Sequence, residues 1–539
     1  MRFKILTGVV ASSLLFTQCT KNYEKINTDP NQQSPSTFDA EYFLASSQNE
    51  YKGAISGYES GFIFESGWAQ VLAAPSTGYL SNMDKYLESS NTNDYASRAW
   101  NDCYRSAGYA YAIIQKHKDD ATKTNLVSCA TIMKVMSMQY ITDLYGDVPY
   151  SEALQGFDGT SLGTIFPKYD GQQAIYTAML GELDAALTAL NTSNAGPKAD
   201  IMYGGDVAKW KKFGYSLMLR MAMRLTKVDA ATAKTYAEKA FTGGVFASNA
   251  DNAFVKSENA SGHGSENPRV MTLDGDIEFI RWGKNFINYL KQTNDPRLPI
   301  ISEVVDVNAA VDIKVAPTTS DVNPSHQYGA PNGKTTSTTS PYYIGNDPDY
   351  PGAVGSGTTV AEILGKYSRP RTALYYDLNG PVFFLSYAEV SFLLAEAKFR
   401  GFSVGATTAE AYYQQGIAAA LGTYSTFNAS TGTISAGTIS SFASAQALTA
   451  GKELELINTQ YWLAAGSFLN FSEAWSNWRR SGFPVLTAVT YPAQFSTVIP
   501  RRHIYPVTEA SNNAEAYSQG VTGLSDGDKW SSRIWWDKP

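Results

Sequence analysis

From Asp206 onward, apolar positions fall at Val207, Trp210, Gly214, Leu217, Met218, Met221 and Leu225, with Lys211, Lys212, Arg220 and Arg224 off the stripe. That three-four spacing predicts an amphipathic helix, and Asp206 is a good N-cap for it. A second helix over residues 229–241 stops at Gly243-Gly244, so the two form a hairpin about as long as a tetratricopeptide unit. The arrangement recurs near residues 97–145 and again toward the C-terminus. There Ser386 with Glu389, and Thr407 with Glu410, have capping-box spacing on two helices joined by residues 401–406, and two more helices cover about 451–466 and 468–480. Helix pairs of this kind bury a shared core only by stacking on neighbours. The predicted fold class is mainly α, built of tetratricopeptide-like helix hairpins, with Trp100, Trp210, Trp462, Trp475 and Trp478 packing as core residues on helices.

The pattern changes between about 244 and 383, where Gly, Ser, Thr, Asn, Asp and Pro dominate and aromatics are scattered. Val311, Ile313 and Val315 alternate with polar residues, a short strand signal. The expected organisation is one domain over 38–539, with a helical scaffold at about 38–243 and 384–480 and a loop-rich ligand half at about 244–383 containing a few short strands.

The first residues read Met1-Arg2-Phe3-Lys4, then an apolar run from Ile5 to Phe16, then Thr17-Gln18-Cys19. This is the order of a secretion signal, and about twelve apolar residues reach only about 18 Å, too short to span a bilayer. Residues 1–18 are expected to be removed, Cys19 to carry the lipid that anchors the chain to a membrane, and the turn-rich segment 19–37 to serve as a tether. Gln18 departs from the small residue usual before a lipidated cysteine. Cys103 and Cys129 fall on either side of a turn near residues 119–123, at an axial offset on the order of 13 Å, and are expected to be buried thiols without a disulfide.

Loss of Arg2 and Lys4 with the signal moves the net charge from −7 to −9, which argues against nucleic acid as a partner. Charged residues are only 17% of the chain, while Tyr (34), Trp (10) and Gly (43) are abundant, a surface suited to neutral polar ligands. G-x-S-x-G occurs at 159–163 and 401–405, but neither has the strand-turn-helix context of a serine nucleophile. His117, His263, His326 and His503 are scattered without zinc spacing, and no phosphate-binding or dinucleotide fingerprint occurs, so neither a metal nor a cofactor is expected. Residues 273–278 (Leu-Asp-Gly-Asp-Ile-Glu) lack regular calcium-ligand spacing and are expected to form a solvated acidic turn. No catalytic constellation is present; a surface glycosidase is the runner-up, because paired carboxylates leave no local signature. Sugar rings stack on aromatic faces, so the loop aromatics Trp68, Tyr79, Tyr86, Trp282, Tyr342, Tyr343 and Tyr350 are the candidate ligand contacts.

Spread along the chain are Asn27-Thr28-Asp29-Pro30-Asn31, Leu144-Tyr145-Gly146-Asp147-Val148-Pro149-Tyr150, the run from Ser386 to Ala397, Glu473-Ala474-Trp475 with Asn477-Trp478-Arg479-Arg480-Ser481-Gly482, and Ile499-Pro500-Arg501-Arg502 before Tyr505-Pro506. In order and spacing these resemble the SusD/RagB family of nutrient-binding outer-membrane lipoproteins of Bacteroidetes. The resemblance implies a right-handed tetratricopeptide-like scaffold and a SusC-like TonB-dependent barrel as partner. It implies a glycan ligand or, in some members, a peptide, and a lipid-anchored position on the outer membrane facing the cell surface. The motifs read physically as scaffold: Gly146 and Pro149 end a helix, Glu389 caps one, and Leu393 and Leu394 pack.

Overall fold

Asp206 accepts a hydrogen bond from the Lys209 amide at 3.1 Å, so the first helix of the central hairpin starts where its cap predicts, and Asp229 caps the second by accepting from the Thr232 amide at 3.0 Å. We label the longer helices, with one short helix near the candidate site, in chain order. The first half holds α1 (Phe43–Ser56), α2 (Tyr79–Asp84), α3 (Thr92–His117), α4 (Thr124–Tyr145), α5 (Gln172–Ala189), α6 (Val207–Arg224) and α7 (Ala230–Gly243). The second half holds α8 (Pro268–Asp276), α9 (Lys284–Gln292), α10 (Tyr387–Phe399), α11 (Ala409–Phe427), α12 (Glu453–Ser467) and α13 (Phe471–Ser481).

The computed structural model describes residues 39–158, 165–260, 265–277, 280–312, 315, 317–352, 357 and 359–539. The signal, Cys19 and its tether, the first G-x-S-x-G, His263, Glu278 and Ile313 lie outside the described residues. Residues Glu41–Pro539 make one unit in which helices stack on sequence neighbours: α3 on α1 and α4, α4 on α5, α5 on α6, α6 on α7 and α10, then α10 on α11 and α12, and α12 on α13. Close approach is set by small residues. A Cβ on Gly214 of α6 would stand 2.5 Å from Leu187 of α5 and 3.1 Å from Ile132 of α4. The strands are short and antiparallel, pairing Leu72–Ala73 with Arg281–Trp282, Val148–Pro149 with Tyr169–Asp170, and Ala253–Lys256 with Pro381–Leu385. In the loop-rich half Ser302–Val305 runs between Ser320–Asp321 and Arg369–Pro370. Val311 and Val315 lie in bends instead of a strand. Among the described residues no helix is long and apolar enough to cross a membrane.

Several local expectations hold and several shift. α4 ends at Gly146, whose φ of 90° suits glycine, and the chain enters the strand Val148–Pro149. Cys103 and Cys129 are free and buried on α3 and α4. Ser386 caps α10 through the Glu389 amide at 3.2 Å, but the Glu389 side chain turns inward to Arg220 instead of closing the box. Thr408 rather than Thr407 caps α11, and Glu410 accepts from the Leu448 amide. Gly401–Gly405 joins α10 to α11, so the second G-x-S-x-G sits in a helix-helix connection.

The largest departure is at Arg220 and Arg224, which the helical stripe places on the polar face of α6 and which are 3% and 0% exposed. α6 is covered on several sides, and the charges are paired. Arg220 holds Glu389 of α10 and donates to the Phe384 carbonyl at 2.8 Å. Arg224 contacts Glu473 of α13 at 2.8 and 2.7 Å and Asp143 of α4 at 3.2 Å. Tyr461 of α12 adds a 2.7 Å bond to Glu473, and Trp536 donates to Asp143 at 2.8 Å. A second knot joins Arg480 of α13 to Glu396 of α10 through two 2.7 Å bonds. The acids and arginines of the motif stretches therefore tie the helices together from inside.

Candidate functional site

α3 begins at Thr92, whose Oγ1 accepts from the Ser89 amide at 2.8 Å. Asn91, in the N-cap position, makes no side-chain cap, although asparagine is among the best residues for it. Its Nδ2 instead donates to Tyr79 Oη at 3.1 Å and Tyr95 Oη at 3.3 Å. The Tyr79 and Tyr95 rings meet edge-on at 5.0 Å, and Tyr58 meets Tyr95 edge-on at 6.0 Å. All three rings and Asn91 are half-buried, with outer surface open to solvent. Tyr58 is hydrogen-bonded to Asp276 at the end of α8; burial, then that carboxylate, pushes its phenol far above the ordinary range. Three tyrosines packed edge-to-face, two of them bonded to one amide and the third to a carboxylate, form an amphipathic surface of the kind that stacks sugar rings.

The loop that carries Tyr79 is fixed from below. Gly78, at φ 103°, makes the turn into α2. Pro75 accepts from the Thr336 amide at 2.8 Å, and Lys85 reaches the Ala74 and Ser81 carbonyls at 3.4 and 3.2 Å. Burial lowers the Lys85 ammonium pKa and raises that of the neighbouring Asp84, each opposed by the other's charge. Asp84 also accepts from the Gly333 amide at 2.9 Å, so the segment around 332–336 is pinned to the same loop. That segment leads to Tyr342, half-buried against Tyr491 with ring centroids 4.6 Å apart.

Of the seven sequence candidates, Tyr79 and Tyr342 thus present rings at the surface around the 74–79 loop. Trp68 is 0% exposed and packs between Trp475 and Trp530 at 5.4 and 5.5 Å, so it is core. Tyr86, also 0% exposed, is core too, and its carbonyl accepts from Phe495 at 2.9 Å. Trp282 lies in a buried strand, stacked on Phe286 at 5.0 Å, with Nε1 donating to the Ile301 carbonyl at 3.2 Å. Tyr343 and Tyr350 fill a smaller apolar cluster with Ala330, Ile344, Ile363 and Tyr367. These five are loop or strand-end residues in sequence, yet packing covers them. Tyr58, Tyr95, Asn91 and Tyr491 were not expected. Tyr95 sits in the first turn of a helix, where a neighbour need not cover it, and that position was the available signal. Residues 273–276 are not a solvated acidic turn but the last part of α8, capped at its start by Asn267.

The SusD-like family described as starch-binding and associating with the outer membrane matches residues 39–506. Among solved structures the chain is similar to a chitin-binding protein, 28% identical with TM-score 0.78, over 93% of this chain and 100% of that one. A SusD homolog from Bacteroides uniformis is 24% identical with TM-score 0.70, over 92% and 100% of the two chains. A chitin-binding SusD homolog from Flavobacterium johnsoniae is 24% identical with TM-score 0.68, over 92% and 97%. No curated protein matches. With helix hairpins, loop-borne aromatics and a family match that spans most of its length, the chain belongs to the SusD-like family.

Proposed function

We propose that this protein is a non-catalytic binder that captures oligosaccharide at the cell surface and delivers it to a SusC-like TonB-dependent barrel, anchored through a lipid on Cys19. The observation that carries the reading is the half-buried Tyr58–Tyr79–Tyr95 set, with Asn91 bonded to Tyr79 and Tyr95, on a SusD-like scaffold. The chitin-binding relative at 28% identity makes amino-sugar chains the first ligands to try. Tethering near a pore raises the effective concentration of bound ligand at its entrance, so modest affinity is sufficient.

The test is calorimetric titration of the mature chain, with Cys19 replaced, against soluble glycans and peptides, each mixture also followed for cleavage. Saturable glycan binding without products is expected. Tyr79→Ala and Tyr95→Ala should each weaken it roughly two- to ten-fold, the range for loss of one stacked aromatic. Glycan binding that both variants leave intact would place the site elsewhere, and products that disappear with a single Asp or Glu substitution would make the protein a glycosidase.

A further inference from the structure

The tyrosine set has a lopsided electrostatic rim. Glu59 follows Tyr58 in the chain, Asp94 precedes Tyr95 and Asp276 bonds Tyr58. Against these three carboxylates stands Arg98, drawn between Glu59 at 3.9 Å and Asp94 at 3.6 Å, which offsets only part of their charge. Tyrosine faces are themselves negative, and a cation over such a face is attracted. Stacking surface and carboxylates therefore act in the same direction.

We propose that this site selects oligosaccharides bearing free, protonated amino groups over their neutral N-acetylated counterparts, and disfavours chains carrying carboxylate or sulfate. The inference rests on the glycan-binding reading above and names its ligand class. A 2-amino sugar carries its ammonium at the edge of the ring, so a unit stacked on the tyrosine set holds that charge out toward the acidic rim of Asp276, Glu59 and Asp94. The Asp94 and Glu59 side chains are 66% and 37% exposed, so their attraction is screened by salt, and the preference should fade as ionic strength rises.

The experiment titrates the mature chain, Cys19 replaced, with glucosamine hexasaccharide, its fully N-acetylated equivalent and oligogalacturonate. It is run at about pH 6, where an amine stays protonated, in about 0.05 M and about 0.5 M salt. At low salt the glucosamine chain should bind roughly two- to five-fold tighter than the acetylated one, the scale of one cation on an exposed aromatic face. The ratio should fall toward one at high salt and in the Glu59→Gln/Asp94→Asn variant, with oligogalacturonate weakest throughout. Equal affinity of the glucosamine and acetylated chains at both salts, or tighter binding of oligogalacturonate, overturns this inference while glycan capture stands, provided Tyr79→Ala still weakens binding. No binding of any glycan, neutral or charged, overturns both readings.

Discussion

Replacing Glu473 by alanine removes the carboxylate on which Arg224, Tyr461 and, at 3.7 Å, Arg220 converge. Arg224 keeps only Asp143, through Nε at 3.2 Å, and Arg220 keeps Glu389. Neither guanidinium can turn to water, since both are buried. Burial alone would raise the Glu473 pKa, but Arg224 and Arg220 hold it below the ordinary value, so the group lost is a charge at neutral pH and not merely a hydrogen-bond acceptor. Removing one partner of a buried pair costs about 3–5 kcal/mol, because the remaining charge stays desolvated. With a urea slope of about 3 kcal/mol per M, the midpoint should drop by about 1 to 1.7 M. Urea unfolding followed by tryptophan fluorescence measures it. Adding Arg224→Met to Glu473→Ala should cost less than the sum of the single changes, by roughly 1–3 kcal/mol, because the second change removes the charge that the first stranded. A midpoint shift under about 0.3 M, or strict additivity, would refute the claim that this pair ties α6 to α13.

Two further outcomes follow from the same interior. Burial would raise the Glu396 pKa, but Arg480 and Arg400 hold it at about 2 against an ordinary 4.5. A depressed carboxylate stabilises above its unfolded pKa and loses that contribution as pH falls through its folded one. About 3 kcal/mol should therefore disappear between about pH 4.5 and pH 2. Glu396→Gln should be less stable than the parent at pH 7 and show a flatter stability slope across that window; an unchanged slope counts against the pairing. Burial pushes the Cys103 and Cys129 thiols well above their ordinary range. With Cys19 replaced, a thiol reagent should label neither in the folded protein and both after unfolding without reductant, and loss of either thiol in the unfolded protein would reveal a disulfide.

Much of the scaffold was legible because its signals are local. Asp206 and Asp229 cap helices within three residues of themselves, Gly146 ends α4 where its own φ demands it, and the hairpin holding Cys103 and Cys129 follows from periodicity on each arm. The interior charges were not, because nothing near Arg220 or Arg224 in sequence says that Glu389 and Glu473 will meet them from α10 and α13. An arginine off an apolar stripe looks solvated until a third and fourth helix close over it.

The site fails to show in sequence for the converse reason. Whether an aromatic ring is open to a ligand depends on which distant segment lies over it, and local context misleads in both directions. Trp282 and Tyr86 have turn-rich neighbours in sequence yet are covered by α9 and by the stretch around Phe495, while helical Tyr95 emerges because α3 begins at the surface. Glu389, Glu396, Glu473 and Arg480 do their work in buried pairs between helices, where any change strands a charge. Tyr58, Tyr79 and Tyr95 are half-buried against the edge of the core and take no part in those ion pairs. A scaffold held by paired internal charges can keep its motifs whatever rings its surface presents, which is why the motifs identify the fold and say nothing of the ligand.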